Sequence, residues 1–345
     1  MVSAMTPSTP QRFDRQVRFA ALGTEGQERI GKARVLLVGT GALGGVLAQS
    51  LVRAGVGELV LADRDIVELS NLPRQVLFDE SHAQQGQAKV LAAAETLARI
   101  GGPTHISCHA VHVDGRNLAE LSEGCHLILD GTDNLSTRYL INDFCVQHGL
   151  PWIYGGVVGG AGLVLPILPG RGPCLRCVFR NPPPSGTLPT CDTAGVIMPA
   201  VGLVGSMQAG LALRILAGSS QPETALIELD AWNGECRRLV AKADPECPCC
   251  AQQKFEFWEQ AQGDETLTLC GRNTVQVQRQ GAAPDMDLLA ERLQPTAKRV
   301  VRAGPLLRAE IEDLVLTVFP DGRTLIEGTD DPHRAQGMFD RWIGG

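Results

Sequence analysis

The run Gly39-Thr40-Gly41-Ala42-Leu43-Gly44-Gly45 directly follows the apolar stretch Arg34-Val35-Leu36-Leu37-Val38. Glycines at this spacing let the chain turn tightly at a strand end and let a phosphate approach the main chain. The helix that opens there offers unpaired N–H groups and the positive end of its dipole. A second apolar run ends on Asp63, about twenty residues beyond the glycines, where a carboxylate can hydrogen-bond a ribose hydroxyl. These are parts of a nucleotide site, and alone they do not say which nucleotide. A further apolar run ends in Asp130-Gly131-Thr132-Asp133-Asn134. Ligands of open α/β sheets bind at the carboxyl ends of strands, and a carboxylate there suits Mg2+ held against phosphate oxygens. Two Cys-x-x-Cys pairs, Cys174/Cys177 and Cys247/Cys250, could place four thiolates on one tetrahedral zinc ion. Their separation of about seventy residues is too long for a zinc ribbon. Spacing therefore leaves open the pairing, the choice between Cys249 and Cys250, and a redox use of the cysteines.

The elements that must position these residues alternate strand and helix. Apolar runs predict strands over 34–38, 58–62, 106–111, 126–129 and 151–154. Helical patterns predict helices over 25–32, 46–54, 86–100, 117–123 and 135–148. The fold class is α/β, a Rossmann-like doubly wound and mostly parallel sheet. A glycine-rich strand pair over 155–162 follows, and the proline-rich loop 181–189 reads as a lid. The charge-free stretch 194–213 is interrupted by glycine, Pro199, Ser206 and Gln208, which predicts a buried helix near the ligand site rather than a bilayer span. The character changes after Phe255. The expected division is a nucleotide-binding first domain over 1–253, a linker over 254–265 and a small α+β module over 266–345. In that module Pro320-Asp321-Gly322-Arg323 marks a hairpin turn.

A net charge of −7 without a Lys/Arg cluster argues against a nucleic-acid binder. Residues 1–11 lack the apolar core of a signal peptide, so a cytoplasmic protein without membrane partner is expected. Eleven cysteines in a cytoplasmic chain of 345 residues read as metal ligands or working thiols rather than disulfides.

The string Asp63-Arg64-Asp65-Ile66-Val67-Glu68-Leu69-Ser70-Asn71-Leu72-Pro73-Arg74-Gln75 has no use in a plain hydride-transfer enzyme. It resembles the segment after the second strand in the MoeB/ThiF/HesA family, bacterial relatives of ubiquitin-activating enzymes. There, Ser-Asn-Leu-x-Arg surrounds the ATP phosphates. The resemblance extends to Arg12-Phe13-Asp14-Arg15-Gln16, to Gly86-Gln87-Ala88-Lys89, to Asp130–Asn134 and to both cysteine pairs. It implies nucleotide contacts from Gly39, Gly41, Ala42 and Gly44, from Asp63 and Asp65, and from Ser70, Asn71 and Asn134. Arg74 and Lys89 become phosphate contacts, Asp133 the Mg2+ residue, and Arg15 a contact supplied across a homodimer. Cys174, Cys177, Cys247 and Cys250 become a structural zinc site. The implied reaction is ATP-dependent adenylation of the C-terminal glycine of a ubiquitin-like sulfur-carrier protein with a Gly-Gly tail. A cysteine desulfurase or other sulfur donor follows as a further partner.

Cys191, after the proline loop, matches a cysteine that bonds the carrier in some relatives. No His or Lys beside it announces activation, so a working thiol and a bystander both stay open. Gly344-Gly345 reads as a flexible end. An NAD-dependent oxidoreductase would explain the glycines and Asp63 but leave Arg74, Lys89, Asp133 and the cysteines idle. The same residues would also serve a non-catalytic carrier-binding scaffold, or an enzyme that adenylates a ribosomal peptide.

Overall fold

Eight strands built from short apolar runs form the first sheet: β1 Arg34–Val38, β2 Glu58–Ala62, β3 His105–His109, β4 Leu127–Asp130, β5 Trp152–Val158, β6 Ala161–Ile167, β7 Ala225–Asp230 and β8 Glu235–Val240. The structure is a computed structural model that describes residues 9–183, 191–219, 224–260, 266–269, 274–277 and 284–343. The strand order is β3-β2-β1-β4-β5-β6-β7-β8. Pairing is parallel from β3 through β5 and antiparallel from β5 to β8.

The central strands are apolar on both faces because helices cover both. Val35, Leu37, Leu59 and Leu61 pack into one core with the helices Ala42–Ala54, Lys89–Ile100 and Met198–Leu216. Their alternates Leu36, Val38, Val60 and Ala62 pack into a second core with the helix Leu135–His148. The helix Met198–Leu216 is, among the described residues, the one long and apolar enough to cross a membrane by length and composition. Here it lies along the sheet, with Ala200, Val201, Val204, Gln208, Ala209 and Ala212 buried on one side.

A second, antiparallel sheet comprises β9 Thr266–Leu269, β10 Thr274–Val277, β11 Arg299–Ala303, β12 Leu306–Ile311, β13 Leu314–Val318 and β14 Thr324–Glu327. Its order is β11-β12-β13-β14-β10-β9. The helices Met286–Leu293 and Pro332–Trp342 cover it, capped by Asp285 and Asp331, whose carboxylates accept from backbone N–H groups of the first turn. Leu289, Leu293, Leu316, Ile326 and Phe339 form its own core. Leu306, Phe319 and Leu325 instead join the first domain's core with Ile66, Phe78 and Ala88. Within the stretch read as a linker, Glu256–Gln260 is a short helix docked on Leu135–His148: Phe257 and Trp258 lie 4.9 Å from Tyr139 and Phe144 respectively.

Several elements are not announced by the sequence, among them the short helices Glu80–Gln85 and Leu175–Val178. β8 is exposed along its whole length and so carries no apolar alternation. β7 and β11 are likewise not announced by the sequence. The helix Thr9–Val17 is polar apart from Phe13, whose ring packs against Gly55.

The tightest backbone contact lies where β1 meets the helix Ala42–Ala54. A Cβ on Gly44 would fall 1.9 Å from the carbonyl oxygen of Gly39. Gly44→Ala is therefore expected to cost at least about 2 kcal/mol in urea unfolding, after the helix-propensity gain is counted. Gly210→Ala, in the helix Met198–Leu216 with open space around the added methyl, is expected to be neutral or to stabilise by up to about 1 kcal/mol.

Candidate active site and metal centre

The crevice between the carboxyl ends of β1 and β4 is where the strand order reverses, the usual ligand position in such sheets. Gly39 takes a left-handed φ of 87°, and Gly131 at the end of β4 packs against its carbonyl. This turn delivers Gly41 as the N-cap of the helix Ala42–Ala54, with no side chain bonding the first N–H groups. Those groups face the crevice as anion donors.

Asp63 follows β2 and ties the turn to the next loop. Its Oδ2 accepts from Thr40 N at 2.6 Å and Thr40 Oγ1 at 3.0 Å, and its Oδ1 accepts from Asp65 N at 2.8 Å. A ribose hydroxyl would have to share this carboxylate with Thr40. Asp65 in turn meets Lys89: Nζ donates to Oδ2 at 3.0 Å, and Lys89 N donates to Asp65 O at 2.9 Å. Lys89 is only 3% exposed. Ser70 and Asn71 lie in the turn Leu69–Asn71, where Asn71 Oδ1 accepts from Glu68 N at 3.1 Å. Arg74 Nη1 donates to Ser70 O at 2.7 Å, so this loop is folded on itself.

Beyond the end of β4, Asp133 is exposed. Asn134 caps the helix Leu135–His148, accepting from Ser136 N at 2.9 Å. Beneath them Asp130 is fully buried. It accepts from Arg138 Nε at 2.9 Å and from Thr132 N and Oγ1 at 2.9 and 2.7 Å. Burial opposes the Arg138 charge, but Asp130, Tyr154 and Asp133 outweigh it and raise the guanidinium above its ordinary value. Gln208 Nε2 donates to Asp130 O at 2.9 Å. A Cβ on Gly155 would sit 2.4 Å from that amide, so this glycine makes room for the network. Thr40, Arg138 and Gln208 are not singled out as site residues by the sequence. Only Gln208 leaves a signal there, as an amide in a charge-free apolar run. Arg15 stands exposed in the last turn of Thr9–Val17 and makes no ion pair among the described residues.

On the face of the sheet covered by the helix Leu135–His148, the sulfurs of Cys174, Cys177, Cys247 and Cys250 all lie within 4.8 Å of one another. Separations of 3.8, 3.6 and 3.4 Å join Cys174 to Cys177, Cys174 to Cys247 and Cys177 to Cys250. Four sulfurs on a tetrahedral ion with bonds of about 2.3 Å would stand roughly 3.8 Å apart, so the cluster could hold a metal. Cys249 stands outside this group of four, its sulfur 3.3 Å from Asn142 Nδ2. Arg176, 2% exposed, bonds Glu256 at 3.0 Å and stacks on Phe257, fastening the chain after the second pair. Of Cys191 the structure describes only the backbone, in the short helix Cys191–Ala194. Its side chain, residues 184–189 of the proline loop, Thr190 and Gly344-Gly345 lie outside the described residues.

The sequence profile of the ThiF family matches residues 13–249, which hold the crevice and three of the four clustered cysteines, Cys250 following directly. The chain belongs to the ThiF family. The sulfur carrier protein ThiS adenylyltransferase of Bacillus subtilis is 38% identical over 337 residues, 96% of this chain and 99% of that one, so the similarity runs through the second sheet. The sulfur carrier protein adenylyltransferase of Thermus thermophilus is 38% identical over 250 residues, 70% of this chain and 91% of that one. Among solved structures, E. coli MccB with ATP shares the ThiF fold at a TM-score of 0.61, with 21% identity over 69% of this chain and 74% of that one.

The ThiF cysteine cluster makes a direct prediction. Elemental analysis of the purified protein is expected to find about one divalent metal per four-thiolate site. Cys247→Ser should lose it, while Cys249→Ser should retain it.

Proposed function

We propose that the chain is an adenylyltransferase that activates the C-terminal carboxylate of a ubiquitin-like sulfur-carrier protein with Mg2+-ATP. One observation carries the reading: an uncapped helix N-terminus and the exposed Asp133 flank the same crevice, in a chain 38% identical over nearly its whole length to a named ThiS adenylyltransferase.

In this reading Gly41, Ala42 and Gly44 present backbone N–H groups to the phosphates, while Gly39, whose own N–H donates to Ala62 O at 2.7 Å, lines the nucleotide through its turn. Asp63 takes the ribose, and Ser70, Asn71 and Asn134 line the nucleotide. Mg2+, held by Asp133, would supply positive charge against the triphosphate oxygens. The carrier's carboxylate attacks the α-phosphorus, and pyrophosphate departs with the bonding electron pair of the α–β bridge. A carboxylate is already a nucleophile at neutral pH, so no general base is needed. The barrier falls through positioning and charge. Arg74 and Lys89, the latter steadied by Asp65, neutralise the leaving group. Arg15 does the same from the second protomer of a homodimer.

The outer sulfur of a donor persulfide, as on a cysteine desulfurase, would then displace AMP to give an acyl disulfide, and a thiol attacking the donor sulfur would release the thiocarboxylate and leave a disulfide behind. Cys191 is the candidate thiol for a covalent step there. The sulfur distances fit zinc as the ion on the four cysteines, where it acts as a cross-link between 174–177 and 247–250 and takes no part in the chemistry. Such a role in sulfur transfer suits the cytoplasm. ThiS-like and MoaD-like carriers are the two substrate classes to test.

Exchange of labelled pyrophosphate into ATP decides the reading. It is expected to require Mg2+ and one of these carriers, and to fall by about a hundredfold or more in Asp133→Ala and Arg74→Ala. ATP binding without carrier-dependent exchange would point to another acyl substrate. No ATP binding would overturn the enzyme.

A further inference from the structure

Arg323, in the hairpin turn between β13 and β14, is fully buried although it belongs to the C-terminal module's connecting turn. Its guanidinium lies 3.4 Å from the centre of the Phe319 ring. Nη2 donates across 259 positions of sequence to the carbonyl of Arg64, at 3.1 Å. Nε and Nη1 have no hydrogen-bond partner among the described residues. Arg64 stands between Asp63 and Asp65, and its own side chain reaches His112 at 3.5 Å and Asp65 at 3.7 Å. The charges that act on Arg323 are Asp321, Asp65 and Asp63 in its favour and Arg64 against it. Burial pushes its guanidinium down to about 9, which leaves it protonated at neutral pH.

The contact is broad. Phe319, Leu306 and Leu325 share the apolar core of Ile66, Phe78 and Ala88. Arg308, paired with Glu327 at 3.1 Å, lies over Gly86, just before Lys89. The module therefore touches both segments that carry the Asp65–Lys89 pair.

A buried guanidinium with two unpartnered nitrogens is a poor way to stabilise an interface, since their N–H groups lose water without gaining an acceptor. An apolar side chain of similar length would do as well or better. What arginine adds is a fixed positive charge and a donor to the loop that bears Asp63 and Asp65. Two carboxylates beside a triphosphate site repel the nucleotide unless cations stand near them. Lys89 supplies one such charge, and Arg323 supplies another from behind the loop.

We propose that the C-terminal module completes the nucleotide site, with Arg323 as a positioning residue that holds the Asp63–Asp65 loop and offsets its charge. The inference rests on the nucleotide reading above and deepens it: the module serves ATP affinity, not carrier recognition.

The test measures Mg2+-ATP binding by calorimetry on the full chain, together with melting temperature and carrier-dependent pyrophosphate exchange. Arg323→Met should keep or raise the melting temperature and weaken ATP binding by about tenfold. The exchange rate at saturating ATP should stay within about twofold, so that the effect falls on KM rather than kcat. Arg323→Lys should recover most of the affinity. Arg334→Met, at the exposed ion pair with Asp313 in the same module, should change neither quantity. Wild-type affinity in Arg323→Met, no recovery with lysine, or an Arg323→Met chain that melts early or does not fold would each overturn the proposal. A wild-type chain that binds no ATP would overturn the nucleotide reading itself and the inference with it. Binding by the wild type with no loss in Arg323→Met would overturn the inference alone.

Discussion

Backbone meets backbone where β1, β4 and the helix Ala42–Ala54 converge, and much of the site depends on that contact. Gly39, Gly44 and Gly131 approach so closely that any side chain at Gly44 would overlap the Gly39 carbonyl. The approach sets the helix axis against the strand ends and aims its free N–H groups into the crevice. It also brings Thr40 onto Asp63, so the turn and the loop after β2 move as one piece. From there the constraint passes through Asp65 to Lys89 and through the Arg64 carbonyl to Arg323. A chain of short contacts thus links the glycine turn to the far module.

Below the crevice, Asp130, Arg138 and Gln208 form a buried polar network under the exposed Asp133. A buried ion pair is a weak source of stability, because desolvation offsets most of the attraction. Its use here is geometric. Arg138 bonds the carbonyls of Thr132 and Gly155 as well as Asp130, so the loop carrying Asp133 is fixed relative to β5. The cysteine cluster and the Arg176 stack pack on the outer side of the helix Leu135–His148, where Phe257 meets Tyr139.

The parts legible in the sequence are those set by local pattern. Uniformly apolar runs announce β1, β2 and β4, and 3.6-residue periodicity announces the helix over 89–100. The glycine turn and both cysteine pairs are visible because their chemistry depends on residue type and close spacing. The pairing of the cysteines is not, since residues seventy positions apart (177 to 247) meet only through the fold. Thr40, Arg138 and Arg323 are invisible for the same reason: a threonine in a glycine turn, an arginine on a helix and an arginine in a hairpin turn are ordinary until their neighbours are known. β8 leaves no trace because an edge strand exposed on both faces has no alternation to read.

An acyl-adenylate on a carrier's terminal glycine is the species this site would form, and it can be trapped. Purified chain, Mg2+-ATP, a ThiS-like or MoaD-like carrier and hydroxylamine would be combined, then analysed by intact mass spectrometry and nucleotide chromatography. Adenylation predicts a hydroxamate at the carrier's C-terminus and release of AMP, both dependent on ATP. An unmodified carrier with both classes, or ADP formed in place of AMP, would contradict it.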